Sequence, residues 1–121
     1  MLSEFSFGNE QQLYRLISNL IVNAIQATPL QGKVSVSLEI SDRRYVLIHV
    51  QDTGVGIAKQ HQNRIFDRFY RVSEDRSRTS GGSGLGLAIA QAIANAHKGS
   101  IQLQSQPGCG SVFTVRLPLQ R

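Results

Sequence analysis

Chemistry in this sequence can be sought in four short groups of residues. The first is Gly81-Gly82-Ser83-Gly84-Leu85-Gly86-Leu87, where four glycines fall within six residues just ahead of an alanine-rich apolar run. A glycine inside regular structure costs roughly 0.5–1 kcal/mol against alanine, so a bare backbone must serve some purpose there. The first N–H groups of a helix have no partner within it, and the macrodipole adds partial positive charge at that end. Glycines let an anion reach those N–H groups without meeting a Cβ, which suits a phosphate. A hinge, or tight packing against another helix, is the bland alternative for this segment alone. The spacing of Gly82, Gly84 and Leu87 fails G-x-G-x-x-G at its last position, and no G-x-x-x-x-G-K-[ST] occurs. The dinucleotide fingerprint and the P-loop are both excluded.

The second group is Asp52-Thr53-Gly54-Val55-Gly56-Ile57. It reads as a turn after a strand, or as a carboxylate placed to accept a hydrogen bond from an exocyclic amine such as that of adenine. The third is Asn19 and Asn23, four apart on one helix face, with Arg15 a further four residues before. Asparagine is a mediocre helix former, so two beside an apolar stripe mean helix–helix hydrogen bonds, solvent exposure, or oxygen ligands for a hard cation such as Mg²⁺. The fourth is Arg64–Arg71, in which Phe66 and Phe69 are spaced to bury together ahead of a polar stretch. Five arginines (Arg64, Arg68, Arg71, Arg76, Arg78) crowd into fifteen residues. The net charge of +5 is therefore partly local, which fits a small polyanion as well as nucleic acid.

These groups need a scaffold, and 121 residues are enough for one domain with a real core. Hydrophobic residues make up 40% and charged residues 17%, as in soluble globular proteins. No apolar run is long enough for a membrane span. Cys109 is the only cysteine, which excludes an internal disulfide and points to a reducing, cytoplasmic setting. Apolar spacing predicts a first helix over about 9–27, stopped by Pro29 and Gly32. Alternation predicts half-buried strands over about 34–40 and 45–51 joined at Asp42-Arg43. A second helix over about 58–69, a mobile polar loop over 71–83, a third helix over about 84–97 and a closing β-hairpin after Gly99 complete the chain. The expected architecture is a two-layer α/β sandwich: a mixed β-sheet covered on one face by about three helices.

In order and spacing the four groups resemble the catalytic ATP-binding domain of sensor histidine kinases, the Bergerat fold shared with gyrase, MutL and heat-shock chaperone ATPases. The resemblance runs from about Asn9 to Leu117. Asn19–Ala24 is similar to the N box, Asp52–Ile57 to the G1 box, Phe66–Arg71 to the F box and Gly82–Leu87 to the G2 box. It implies that Asn23 ligates Mg²⁺ with support from Asn19, and that Asp52 binds the adenine amine. Gly54, Gly56, Ile57 and Phe69 would shape the base pocket and its lid. Gly82, Ser83, Gly84, Leu85, Gly86 and Leu87 would cradle the phosphates. Arg68 and Arg71, with Arg76 and Arg78, would neutralise phosphate charge, so Asn23, Arg68 and Arg71 are the expected catalytic residues.

The resemblance further implies transfer of the γ-phosphoryl group of ATP to a histidine on a separate phosphoacceptor domain, with a response regulator downstream. This chain would then be one domain of a longer, homodimeric kinase, monomeric by itself and outside the membrane, with Phe5 and Phe7 left from a first strand. Two positions depart from the family pattern: Gln26 and Ala27 stand where many members have lysine and tyrosine. None of His49, His61 and His97 has phosphoacceptor surroundings, and each reads as incidental. An anti-sigma-type serine kinase and a non-catalytic ATP sensor share much of the pattern; the F box and the long loop favour the histidine kinase. A nucleic-acid binder fits poorly, because the aromatic residues read as buried rather than available for stacking.

Overall fold

The computed structural model describes residues 9–70 and 85–119. The chain first forms α1 (Glu10–Ala27). Asn9 caps it, its side-chain oxygen accepting the Gln12 N–H at 3.0 Å and so satisfying one orphan donor of the first turn. Leu16, Leu20 and Ala24, spaced by four, are fully buried along one face. Thr28 leaves the helical region because Pro29 follows, and its hydroxyl donates back to the Ala24 carbonyl at 2.6 Å.

Next come β1 (Val34–Ser41) and β2 (Tyr45–Asp52), joined where Asp42 and Arg43 both adopt left-handed φ of 53° and 57°. The chain then passes through α2 (Lys59–Gln62) and α3 (Gly86–Ala96) to a second hairpin, β3 (Ser100–Gln106) and β4 (Gly110–Pro118). The strand order is β1-β2-β4-β3. The two-layer sandwich is as expected, but every pairing among the described residues is antiparallel where a mixed sheet was expected. Each hairpin folds back on itself, and β4 lies between β3 and β2, running against both. The strand expected around Phe5 and Phe7 lies outside the described residues.

Alternation sends Val46, Ile48 and Val50 of β2 and Phe113, Val115 and Leu117 of β4 to one face, where α1 and α3 cover them. Ala90 and Ala94 of α3 are fully buried, small enough for the two helices to lie close. On the other face His49 links Glu39 and Thr114, and the Arg116 guanidinium lies 3.6 Å from the Tyr45 ring centroid. The His49 ring is therefore a bridge across three strands and not incidental.

Three local expectations are corrected. Val36, Leu38 and Ile40 of β1 share the helix-facing side of the sheet yet are 50%, 63% and 55% exposed, because the helices sit over β2 and β4. The second helix is four residues long. After it the chain descends in separate i→i+3 turns (Arg64 N–H to His61 O, Asp67 N–H to Arg64 O, Tyr70 N–H to Asp67 O), and Phe69 turns left-handed at φ 65°. Phe66 and Phe69 consequently part company: Phe66 packs edge-on against Phe113 and Phe69 is 66% exposed. His97, read as incidental, is buried where α3 ends. Its Nδ1 donates to the Ile93 carbonyl at 2.8 Å and its Nε2 accepts the Asn9 N–H at 3.2 Å, tying the end of α3 to the start of α1.

Leu20 lies at the centre of the two layers. Leu20→Ala should lower unfolding free energy by about 2–5 kcal/mol through lost transfer energy plus a cavity. Urea unfolding that gives a shifted midpoint at constant slope would verify it; a change below about 1 kcal/mol would contradict this placement of the core.

Candidate functional site

Asp52 is the last residue of β2, and strand alternation turns it towards the helix layer, where it is 2% exposed. Its Oδ1 accepts the Gly54 N–H at 2.8 Å, an Asx-type turn that starts the following loop. Its Oδ2 is buried and has no hydrogen-bond partner among the described residues. A buried carboxylate oxygen in that state costs on the order of 1–3 kcal/mol or more, which a hydrogen-bond donor from outside the chain would remove.

The loop after Asp52 is held from both sides. On one side the Val55 N–H donates to the Ala27 carbonyl at 3.3 Å, and a Cβ on Gly54 would lie 2.2 Å from that same oxygen. Only glycine fits against the end of α1. On the other side the loop meets the β3–β4 hairpin: the Gly108 N–H donates to the Val55 carbonyl at 2.8 Å, and the Ile57 N–H to Ser105 Oγ at 2.7 Å. Gly56 has φ 75°, and a Cβ there would lie 2.0 Å from the Gln106 carbonyl oxygen. Gln62 of α2 adds a further tie, its Nε2 donating to the carbonyls of Ile57 and Ser105 at 2.8 and 3.1 Å.

The other end of the site lies between α1 and α3. Asn19 Nδ2 donates to the Gly86 carbonyl at 3.2 Å, fastening α1 to the first residue of α3. Asn23 follows one turn later on the same flank, half-buried. Leu85 caps α3 without any side-chain hydrogen bond, and a Cβ at Gly86 would meet nothing within 4 Å. Among the described residues nothing crowds the first residue of α3, and the first N–H groups of a helix have no partner within it. Leu87 packs half-buried against the core. Asn19 and Ala27, the attachment points of the two ends, are separated by about 12 Å along α1 at 1.5 Å per residue.

Asp52, Gly54, Gly56 and Ile57 therefore stand together in one loop, and Asn19, Asn23, Leu85, Gly86 and Leu87 gather at the α1–α3 junction. Arg68 and Phe69 are exposed on the turns beyond α2. Arg71, Arg76, Arg78, Gly82, Ser83 and Gly84 lie outside the described residues, as does the loop expected over 71–83. Sequence reasoning missed Ser111, which is 5% exposed and pairs directly with Asp52 across β2 and β4. Extending the alternation of Phe113, Val115 and Leu117 back by two residues reaches it. It also missed Ser105 and Gln62, whose polar side chains carry no periodic signal. A cavity of about 450 Å³ opens at the strand ends beside Gln51, Asp52, Cys109, Ser111 and Val112. No residue of α1 or α3 lines it.

A model of the histidine kinase-, DNA gyrase B- and HSP90-like ATPases matches residues 8–121. Sensor histidine kinase RppB of Synechocystis is 56% identical over 115 residues, covering 95% of this chain and 25% of RppB. The sensor-like histidine kinase SenX3 of Mycolicibacterium smegmatis is 49% identical over 111 residues, covering 92% of this chain and 29% of SenX3. The chain thus spans roughly a quarter of the length of these curated relatives. Among solved structures, mycobacterial sensor histidine kinase MprB superposes with TM-score 0.81 at 30% identity, over 93% of this chain and 76% of that one. Full-length ShkA in complex with AMPPNP superposes with TM-score 0.76 at 30% identity, over 89% of this chain and 21% of that one.

Gly56 and Gly108 make a matched pair for testing the loop–hairpin junction. Both have positive φ, but a Cβ at Gly108 meets nothing within 4 Å. Gly108→Ala should lose about 1–2 kcal/mol from left-handed strain alone, and Gly56→Ala clearly more. Thermal unfolding of the two variants decides it; equal losses would mean that the hairpin yields freely at Gly56.

Proposed function

The chain belongs to the histidine kinase-, DNA gyrase B- and HSP90-like ATPase family and is a histidine kinase ATPase domain; from that premise we propose that it binds Mg-ATP and passes the γ-phosphoryl group to a histidine on a separate phosphoacceptor domain. The observation that carries the reading is the bare, buried Oδ2 of Asp52. An adenine 6-amine supplies the missing donor, whereas the guanine carbonyl oxygen at that position would be repelled. Ser111 lies beside it as a second polar group in the buried row. Gly54, Gly56 and Ile57 give the base a floor of backbone.

At the other end, the open start of α3 offers N–H groups to the phosphates. Among the described residues no group of three His, Cys, Asp or Glu side chains could hold a metal. Amide oxygens are the donors that fit. Asn19, with its nitrogen bound to Gly86, keeps its oxygen as acceptor, and Asn23 offers a second. Asn23, with Asn19 in support, would hold a magnesium ion, which would offset phosphate charge. Catalysis in such a site is mainly positioning and electrostatic stabilisation, with Arg68 and Arg71 supplying further positive charge. Among the described residues no helix is long and apolar enough to cross a membrane. The fuller reading is a cytoplasmic domain of a homodimeric kinase that signals through a response regulator.

Asp52→Asn should reduce ATP affinity by about 5- to 150-fold, corresponding to 1–3 kcal/mol, in a protein that melts cooperatively. Calorimetric titration that finds wild-type affinity would refute the base-pocket assignment, as would equal wild-type affinity for ATP and GTP.

Mixed with γ-labelled ATP and a separately made phosphoacceptor hairpin from a sensor histidine kinase, the chain should label the hairpin in an acid-labile form, at a rate proportional to hairpin concentration. Chelation of Mg²⁺ and Asn23→Ala should each abolish transfer, while ADP binding without metal should survive Asn23→Ala. Acid-stable label on serine would instead support the serine-kinase alternative.

A further inference from the structure

Ser105 lies on β3, outside the four groups of residues that form the nucleotide site, yet three segments of the chain meet at its hydroxyl. Ser105 Oγ accepts the Ile57 N–H at 2.7 Å, donates to the Gly110 carbonyl at 3.0 Å and contacts Ser111 Oγ at 2.7 Å. A serine hydroxyl has one hydrogen and two lone pairs, and this arrangement uses all of them. With its hydrogen spent on Gly110, Ser105 takes the third contact as an acceptor, which turns the Ser111 hydrogen towards Ser105. The lone pairs of Ser111 are then left for the Asp52 side of the ladder.

We propose that Ser105 is a positioning residue for base recognition: it fixes the loop that orients Asp52 and the direction in which the Ser111 hydroxyl points. The path is short and continuous. Ile57 closes the loop that begins at Asp52, and the Gly54 N–H of that loop fixes Oδ1 of the carboxylate. Oδ2, on the same rigid group, takes its direction from that bond. Across the ladder, Gly110 and Ser111 form the stretch of β4 that faces Asp52. One hydroxyl therefore holds both walls of the base pocket in register. Gln62 bridges the Ile57 and Ser105 carbonyls beside it. It adds a second tie between the two segments.

The inference rests on the reading of Asp52 as the base-recognising group, and the test separates the two. Affinities are measured for ATP and for purine riboside triphosphate, which has hydrogen in place of the 6-amine. Wild type should prefer ATP. Ser105→Ala should weaken ATP binding by about three- to tenfold and leave the amine-free analogue within about twofold, so that the preference collapses. Ser105→Thr, which keeps the hydroxyl, should preserve the preference. A role in stability alone would weaken both ligands together and leave their ratio unchanged. If Ser105→Ala does not fold, Ser105→Cys keeps the volume with a poor hydrogen-bonding atom and should give the same collapse. A wild type that does not discriminate overturns the reading of Asp52 and this proposal with it. A discriminating wild type alongside an equally discriminating Ser105→Ala or Ser105→Cys overturns the role of Ser105 alone.

Discussion

Taking a carboxylate oxygen out of water without giving it a hydrogen bond is costly, and Asp52 Oδ2 stands in that state at the end of a central strand. The neighbouring structure keeps it there. β2 is flanked by strands on both sides, so its last residue cannot drift. The Gly54 N–H pins one oxygen and leaves the other bare. The loop that carries this N–H is fastened to α1 on one side and to the β3–β4 hairpin on the other. A free side chain would swing out into solvent; this one is held.

The long first helix gives the site its dimensions. Its buried stripe of Leu16, Leu20 and Ala24 sets its rotation over the sheet. The flank bearing Asn19 then faces α3, and the Ala27 carbonyl meets the loop after Asp52. Burial of apolar area supplies the energy, and the polar groups ride on that packing. Small residues on α3 bring its open start close enough for Asn19 to reach Gly86. The same helix thus spaces the loop after Asp52 from the start of α3.

Much of this was legible in the chain. The asparagines at helical spacing and the aspartate followed by two spaced glycines each follow from local physics: helical periodicity and Asx turns. Burial of β1 was misjudged because alternation reports which face a side chain joins and not whether the helix layer reaches that far. The second helix was overextended because Phe66 and Phe69 at a spacing of three mimic a helical stripe. In the fold the chain turns at Phe69 and only Phe66 enters the core.

By itself the sequence determined what is written over a few residues: which segments coil or extend, where backbone is bare, and which carboxylate and amides could meet a ligand. The tertiary structure alone decided that Ser111 lies opposite Asp52, that Ser105 reaches Ile57 across 48 residues, and that Asp52 Oδ2 has no partner among the described residues. The reason is strand register. A neighbour across a ladder is set by how two hairpins dock under two helices, and a one-residue slip would turn each of these side chains to the opposite face.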